Sequence, residues 1–421
     1  MHQRTAISHT PPPSTGFFCP RIPPLFAGLV AALFLFWYPQ AFAQSKTLPS
    51  ADFEALSLRA NEARDADRLE EAIALYKKAL ALRSSWTEGW WSLGTLFYDE
   101  DKYGDAAEAF RKVVQQNAKN GTAHVMLGLC EYELGEEDSA LKELGTGREL
   151  GVLKDEQLQQ VLLYHQGILL LRKERFFAAK EALSTLLRSG AQSDAATLAA
   201  GMAVLLIKPV NLPPENTPGR DVILRAGRAE SFLAQKKFDE ARAEYESLAR
   251  DYPEFPNIHY AYGRFLLDVN AATEAIAEFQ REIQNNPKNT LARLQIAATD
   301  YRVDSPAGLA YAKEAVALNP QFPFGHYLLG LLLLDTGDVS HAISELEFAK
   351  RFFPQEPSLY FALGSAYARV GRKQEATQAR ATFKRLQEKA SKETEDNVYG
   401  SRPSNLEPGK LSGETGNQPR P

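Results

Sequence analysis

The sequence predicts an all-α fold, a solenoid built from antiparallel helix pairs, and three observations predict it. The first is an internal period: Gly94, Ala106 and Phe110 become Ala60, Ala72 and Tyr76 when the chain is moved back 34 residues, and Gly128, Ala140 and Leu144 when it is moved forward 34. A small residue, a second small residue twelve on and an aromatic or Leu four later mark a repeat in which each short pair needs a neighbour to bury its faces. The second is helical spacing of apolar residues without strand-like alternation, as in Trp90, Leu93 and Phe97 followed by Ala106, Phe110 and Val113. The third is proline punctuation: Pro253, Pro287, Pro320 and Pro354 recur at spacings of 34, 33 and 34, where a proline stops a helix from continuing.

Length and composition agree. A chain of 421 residues exceeds an ordinary single core, and its 44% hydrophobic and 24% charged residues describe a mostly folded protein. The net charge of −5 becomes −7 without residues 1–43, which carry Arg4 and Arg21 and no acid. A mildly acidic chain with no basic stripe argues against nucleic acid as a partner. Of the two cysteines, Cys19 precedes an apolar run and Cys130 falls within a predicted helix, so no internal disulfide is expected and Cys130 reads as a small buried hydrophobe.

Residues 1–43 are expected to be a signal peptide. The run LFAGLVAALFLFWY, residues 25–38, is short for a bilayer span, and Ala41-Phe42-Ala43 supplies the small residues of a cleavage site. Cleavage would start the mature chain at Gln44, in the periplasm or outside the cell. The long Pro-rich stretch before the run leaves a second reading, an inner-membrane anchor formed by residues 25–38.

A short segment, 44–52, leads into a first array over 53–207. It holds about four repeats, beginning with Leu56, Ala60, Ala72 and Tyr76, and a five-residue insertion around Lys154–Gln159 precedes the fourth. Ser193–Ile207 is apolar and Ala-rich enough for a single helix, but no partner helix is expected to follow. Instead comes KPVNLPPENTPGR, 208–220, whose four prolines predict an extended linker or hinge. The second array, 221–390, holds about five repeats, with Ala229, Gly263, Ala297, Gly330 and Gly364 as the small residues that allow close helix approach. The repeat near 290–322 is one residue short and has Gly308 and Ala312 at the pattern positions, so its second helix is expected to be weaker or shifted. Residues 372–390 are charged on most faces and suit an end cap. The stretch 391–421 is polar, rich in Gly and Pro, and expected to be disordered.

This pattern resembles the tetratricopeptide repeat family over roughly residues 51–390. The resemblance implies a right-handed superhelix whose first helices line a concave groove. Carried onto this chain, the groove-lining positions hold Trp91, Tyr98, Tyr132, Tyr164, Tyr260, Tyr301, Tyr327 and Phe361, which are the candidate protein-binding residues. Two readings of this aromatic row stand: an exposed binding surface, or side chains buried between repeats by tight winding. The family's clamp for acidic C-terminal peptides is not expected, because Ser57, Trp91, Thr95, Val125 and Leu129 stand where Lys and Asn are required and only Asn61 fits.

Catalytic motifs are missing: no GxxxxGK[ST], HExxH, CxxC or GxSxG occurs. His124, His259 and His326 recur at one repeat position, too far apart along a solenoid to share a metal, and are read as structural. The expectation is therefore a non-catalytic scaffold or adaptor of a bacterial cell envelope that needs no cofactor or metal. Its partners would be proteins or peptides. The alternatives are a membrane-anchored assembly factor or an enzyme with an unrecognised catalytic part.

Overall fold

A computed structural model of the chain describes residues 51–152, 155–191 and 193–396. The predicted signal peptide, all but the last two residues of the 44–52 segment and the tail from 397 lie outside the described residues. Those residues are all-α: nineteen α-helices and a single 3-10 turn, with no strand among them. No helix among them is long and apolar enough to cross a membrane.

The chain divides into two compact units, one ending at Glu136 and one beginning at Glu137. This division falls inside what the sequence reads as the first array, not in the 208–220 linker. The first unit contains α1 (Ala51–Asp65), α2 (Leu69–Leu82), α3 (Thr87–Asp99), α4 (Tyr103–Gln116) and α5 (Gly121–Glu133), each packed on the next. The second contains α6 (Glu137–Leu150), α7 (Glu156–Arg172), α8 (Phe176–Arg188), α9 (Asp194–Val204), α10 (Pro218–Ala234) and α11 (Phe238–Asp251). It continues through α12 (Ile258–Asp268), α13 (Ala272–Asn285), α14 (Thr290–Asp300), α15 (Ser305–Leu318), α16 (Pro323–Asp335), α17 (Val339–Lys350), α18 (Pro357–Arg369) and α19 (Lys373–Asp396). Here too each helix packs on its successor, as a solenoid requires.

Within a pair, the small residue of the first helix lies over the large residue of the second. A Cβ added at Gly94 would sit 3.0 Å from the Phe110 ring, and one at Gly330 would sit 2.6 Å from Leu346. At the amino end, Trp86 wedges between Phe53 and Tyr76, with ring centroids 5.3 and 5.7 Å away. Second helices end where the prolines were expected to stop them: α11, α13, α15 and α17 close shortly before Pro253, Pro287, Pro320 and Pro354.

The turn inside a pair is equally uniform. Asp67, Asp101, Gly135, Glu174, Lys236, Asn270, Gly337 and Gly371 all take a left-handed conformation just after their first helix. The next residue's N–H then reaches back to a carbonyl of the last turn, as in Lys102 to Phe97 and Asp338 to Leu333, both at 2.8 Å. This closure satisfies carbonyls that the helix end would otherwise leave bare.

Three stretches depart from the regular repeat. The helix over Asp194–Val204 does have a partner: α9 packs directly on α10, the first helix of the next repeat. A Cβ added at Gly201 would lie 1.8 Å from the Ile223 carbonyl oxygen, and one at Gly227 the same distance from that of Thr197. The proline stretch thus joins two helices in backbone contact. Second, α15 of the short repeat runs over Ser305–Leu318, fourteen residues. The irregularity lies before it: Arg302 is left-handed and its N–H bonds the Ser305 hydroxyl oxygen, replacing the usual closure. Third, α19 runs to Asp396, six residues past the expected cap.

Candidate protein-interaction site

The first-helix aromatic row is positioned by the pair geometry, and the structure divides it by burial. In the first unit Trp91, Tyr98 and Tyr132 are half-buried. Trp91 stands edge-on to Phe110 with centroids 5.4 Å apart, so one ring face is packed and the rest is open. Tyr98 makes a similar edge contact with Tyr103 at 5.4 Å, and the Tyr103 hydroxyl donates to Asp101 at 2.6 Å.

The second unit behaves differently. Tyr164 is half-buried and perpendicular to the His165 ring, 5.4 Å away. Tyr301 is half-buried under the Arg302 guanidinium, 5.0 Å from its ring. Tyr260 and Tyr327, however, are only 2% and 1% exposed. Tyr260 packs on Phe279 at 5.9 Å, and the Tyr327 hydroxyl donates to the Ser358 hydroxyl at 3.0 Å, on the first helix of the next repeat. Burial pushes the Tyr327 hydroxyl up to about 12. These two side chains are core, which corrects the expectation of solvent-facing anchors there. Phe361 is the opposite case, 56% exposed and leaning on Phe383 at 5.5 Å.

A cleft of about 370 Å³ in the first unit was not anticipated. Its floor is Trp90, Leu93, Phe97 and Leu80, and Lys77, Asp105 and Glu108 form its rim. The Lys77 ammonium lies 5.1 Å from the centre of the Phe97 ring, and the Trp90 indole N–H donates to the Ser84 carbonyl at 2.8 Å. Trp90 read from the sequence as a packing residue. The cleft exists because α2 and α4 leave a gap over α3, a distance that a repeat pattern does not encode.

The polar groups drawn inside the second unit serve packing. Glu282, 1% exposed, accepts from the backbone N–H groups of Asn257 and Tyr260 and from the Asn289 amide, at 3.3, 3.4 and 3.0 Å. It thereby caps α12, whose own N-cap residue Asn257 makes no side-chain cap bond. Burial raises its pKa, opposed by those hydrogen bonds. Glu230 accepts from the Tyr245 hydroxyl at 2.7 Å, and Lys180 lies 3.5 Å from Glu230 and 3.6 Å from Asp268, linking α8, α10 and α12. His259 bonds Glu278 at 2.6 Å, and His326 bonds Glu345 and the Pro320 carbonyl. No group of His, Cys, Asp or Glu among the described residues is arranged to hold a metal ion. Cys130 is fully buried and its thiol is pushed up to about 12, chiefly by desolvation, which leaves it no thiolate to react with.

A family model described as tetratricopeptide repeat matches residues 57–117, 92–147, 227–290 and 327–393. Among solved structures, a crystal structure of MamA is 21% identical, with 39% of this chain and 96% of that one covered and a TM-score of 0.36. MamA from Desulfovibrio magneticus RS-1 is 21% identical over 40% of this chain and 93% of that one, with a TM-score of 0.35. The Cut9–Hcn1 hetero-tetramer of the APC/C is 13% identical over 79% and 87%, also with a TM-score of 0.35. No curated protein matches the chain.

Proposed function

Since the chain belongs to the tetratricopeptide repeat family, whose members bind other proteins, we propose that it is a non-catalytic scaffold that captures an extended or helical apolar segment of a partner. The observation that carries this reading is the incomplete burial of Trp91, Tyr98 and Tyr132 on the first helices of the first unit. Trp91 and Tyr98 each have one side of the ring fixed by packing, on Phe110 and on Tyr103, and the remainder open. Aromatic groups held this way give contact area at little entropic cost and are the usual energetic centres of an interface. In the second unit, taken by itself, Tyr164, Tyr301 and Phe361 are the members of the row that stay partly or largely open, whereas Tyr260 and Tyr327 are buried.

The apolar run and the Ala-Phe-Ala site in residues 25–43 favour an exported protein working in a bacterial envelope, with a retained anchor as the second reading. N-terminal sequencing separates the two: a chain beginning at Gln44 supports export and release, and an intact leader in the membrane fraction supports the anchor. The binding surface is tested by affinity capture from the native envelope. Trp91→Ala combined with Tyr98→Ala should lose the captured partner while keeping the helical signal. Undiminished capture would move the site to the Trp90 cleft or the turns.

A further inference from the structure

In the second unit, four successive repeats tie their first helix to their second through one clasp. The residue four before the repeat's small residue is an arginine or a histidine, and it meets a glutamate on the second helix. Arg225 meets Glu244 at 2.9 Å, His259 meets Glu278 at 2.6 Å, Arg293 meets Glu314 at 2.8 Å, and His326 meets Glu345. For Arg225, His259 and His326 the glutamate stands nineteen residues on, just before the large seam residue Tyr245, Phe279 or Leu346.

The repeat that holds the cleft of about 370 Å³ has the same parts in another order. Trp90 stands at the clasp position, four before Gly94, and nineteen residues on is Ala109, just before Phe110. The carboxylate comes one residue earlier, as Glu108. One residue turns a helix by about 100°, so Glu108 leaves the seam and reaches the cleft rim with Asp105. Neither acid makes an ion pair among the described residues. On the α2 side, the Lys77 ammonium is held 5.1 Å from the centre of the Phe97 ring. The Trp90 indole N–H is bonded to the Ser84 carbonyl, so the ring offers the cleft its π surface and no free donor. The cleft is thus a clasp whose carboxylates are in place and whose cation is missing.

We propose that the cleft binds an arginine side chain of a partner protein, which supplies the cation that the other repeats carry themselves. The guanidinium pairs with Glu108 and Asp105, and the methylene stem lies on Trp90 and Leu93. Arginine suits this better than lysine, because its planar, weakly hydrated head both stacks on an indole and forks onto a carboxylate. The volume leaves room for an apolar neighbour of that arginine on Leu80 and Phe97. An acidic segment is disfavoured, since the rim sets two acids against the single base Lys77. The inference does not rest on the surface formed by Trp91, Tyr98 and Tyr132.

Calorimetric titration of the full chain with acetyl-Leu-Arg-Leu-amide, and with the same peptide carrying citrulline, is the test. Citrulline keeps the shape of arginine and removes its charge. The arginine peptide should bind saturably, about tenfold or more tighter than the citrulline peptide, and more weakly at high salt. Glu108→Gln should lower its affinity about fivefold or more, and Glu108→Lys should abolish binding. Both variants should keep their circular dichroism, because Glu108 is exposed. Trp91→Ala with Tyr98→Ala should bind the peptide as the parent does, which separates this site from the surface proposed above. No saturable binding, equal affinity for the two peptides, a Glu108→Lys variant that still binds, or loss of binding in the Trp91 and Tyr98 variant would each overturn the proposal.

Discussion

Tyr260 and Trp91 occupy the same repeat position and are expected to answer truncation in opposite ways. Tyr260→Ala or Tyr327→Ala removes a ring from the core and should cost about 3–5 kcal/mol, seen as an early melt. Trp91→Ala, with part of its ring already in water, should cost less than about 2 kcal/mol and act mainly on binding. The sequence marks the position but not its exposure, because exposure depends on how closely the next repeat approaches. His326 adds a pH effect. Both its ring nitrogens face acceptors, Glu345 and the Pro320 carbonyl at 2.9 Å, which only the doubly protonated ring satisfies together. Burial lowers its pKa and the Arg351 charge opposes protonation, but the two hydrogen bonds and the Glu345 charge prevail, so the net shift is upward from 6.5. A raised folded-state pKa gives stability that is complete below the unfolded value and lost as pH rises through the folded value. Denaturation midpoints followed upward from mildly acidic pH should therefore fall, and His326→Gln should flatten that slope.

At the level of elements, the contact between α9 and α10 decides how the proline stretch behaves. Val210, 86% exposed, is an accessible point for a protease, but the helices on either side are in backbone contact. Limited proteolysis should nick the chain there and leave two fragments that still migrate together in native buffer. Gly227→Val places a side chain where 1.8 Å separates an ideal Cβ from the Thr197 carbonyl oxygen, a clash that forces the helices apart. It should cost about 3 kcal/mol or more and let the nicked fragments separate. Fragments that part without the substitution would restore the hinge that the prolines suggested. The helices themselves were legible in advance because apolar spacing, proline stops and small residues act locally. Helix α9 was half-legible: its Ala-rich run announced a helix, but its partner lies beyond thirteen residues of loop and breaks the 34-residue period. The Trp90 cleft was invisible for a related reason, since it is the space between two helices rather than a property of either.

Across the whole molecule, stability is carried by neighbour-to-neighbour contacts, so equivalent changes in distant repeats should add. The left-handed turn inside each pair offers the cleanest set. Gly135→Ala and Gly337→Ala put a Cβ where the backbone disfavours one, at about 1 kcal/mol each, and the double variant should show close to the sum in its denaturation midpoint. Asp101→Gly should be nearly neutral, because relief of the left-handed strain offsets the extra freedom of the unfolded chain. The same bend is made by glycine, asparagine, two aspartates, a glutamate and a lysine. It is strict in geometry but not tied to one side-chain chemistry, so at the turns that already carry a side chain a change of side chain should have little effect on folding. These turns are accordingly the natural places to graft a charge, a label or a short recognition loop, one per repeat.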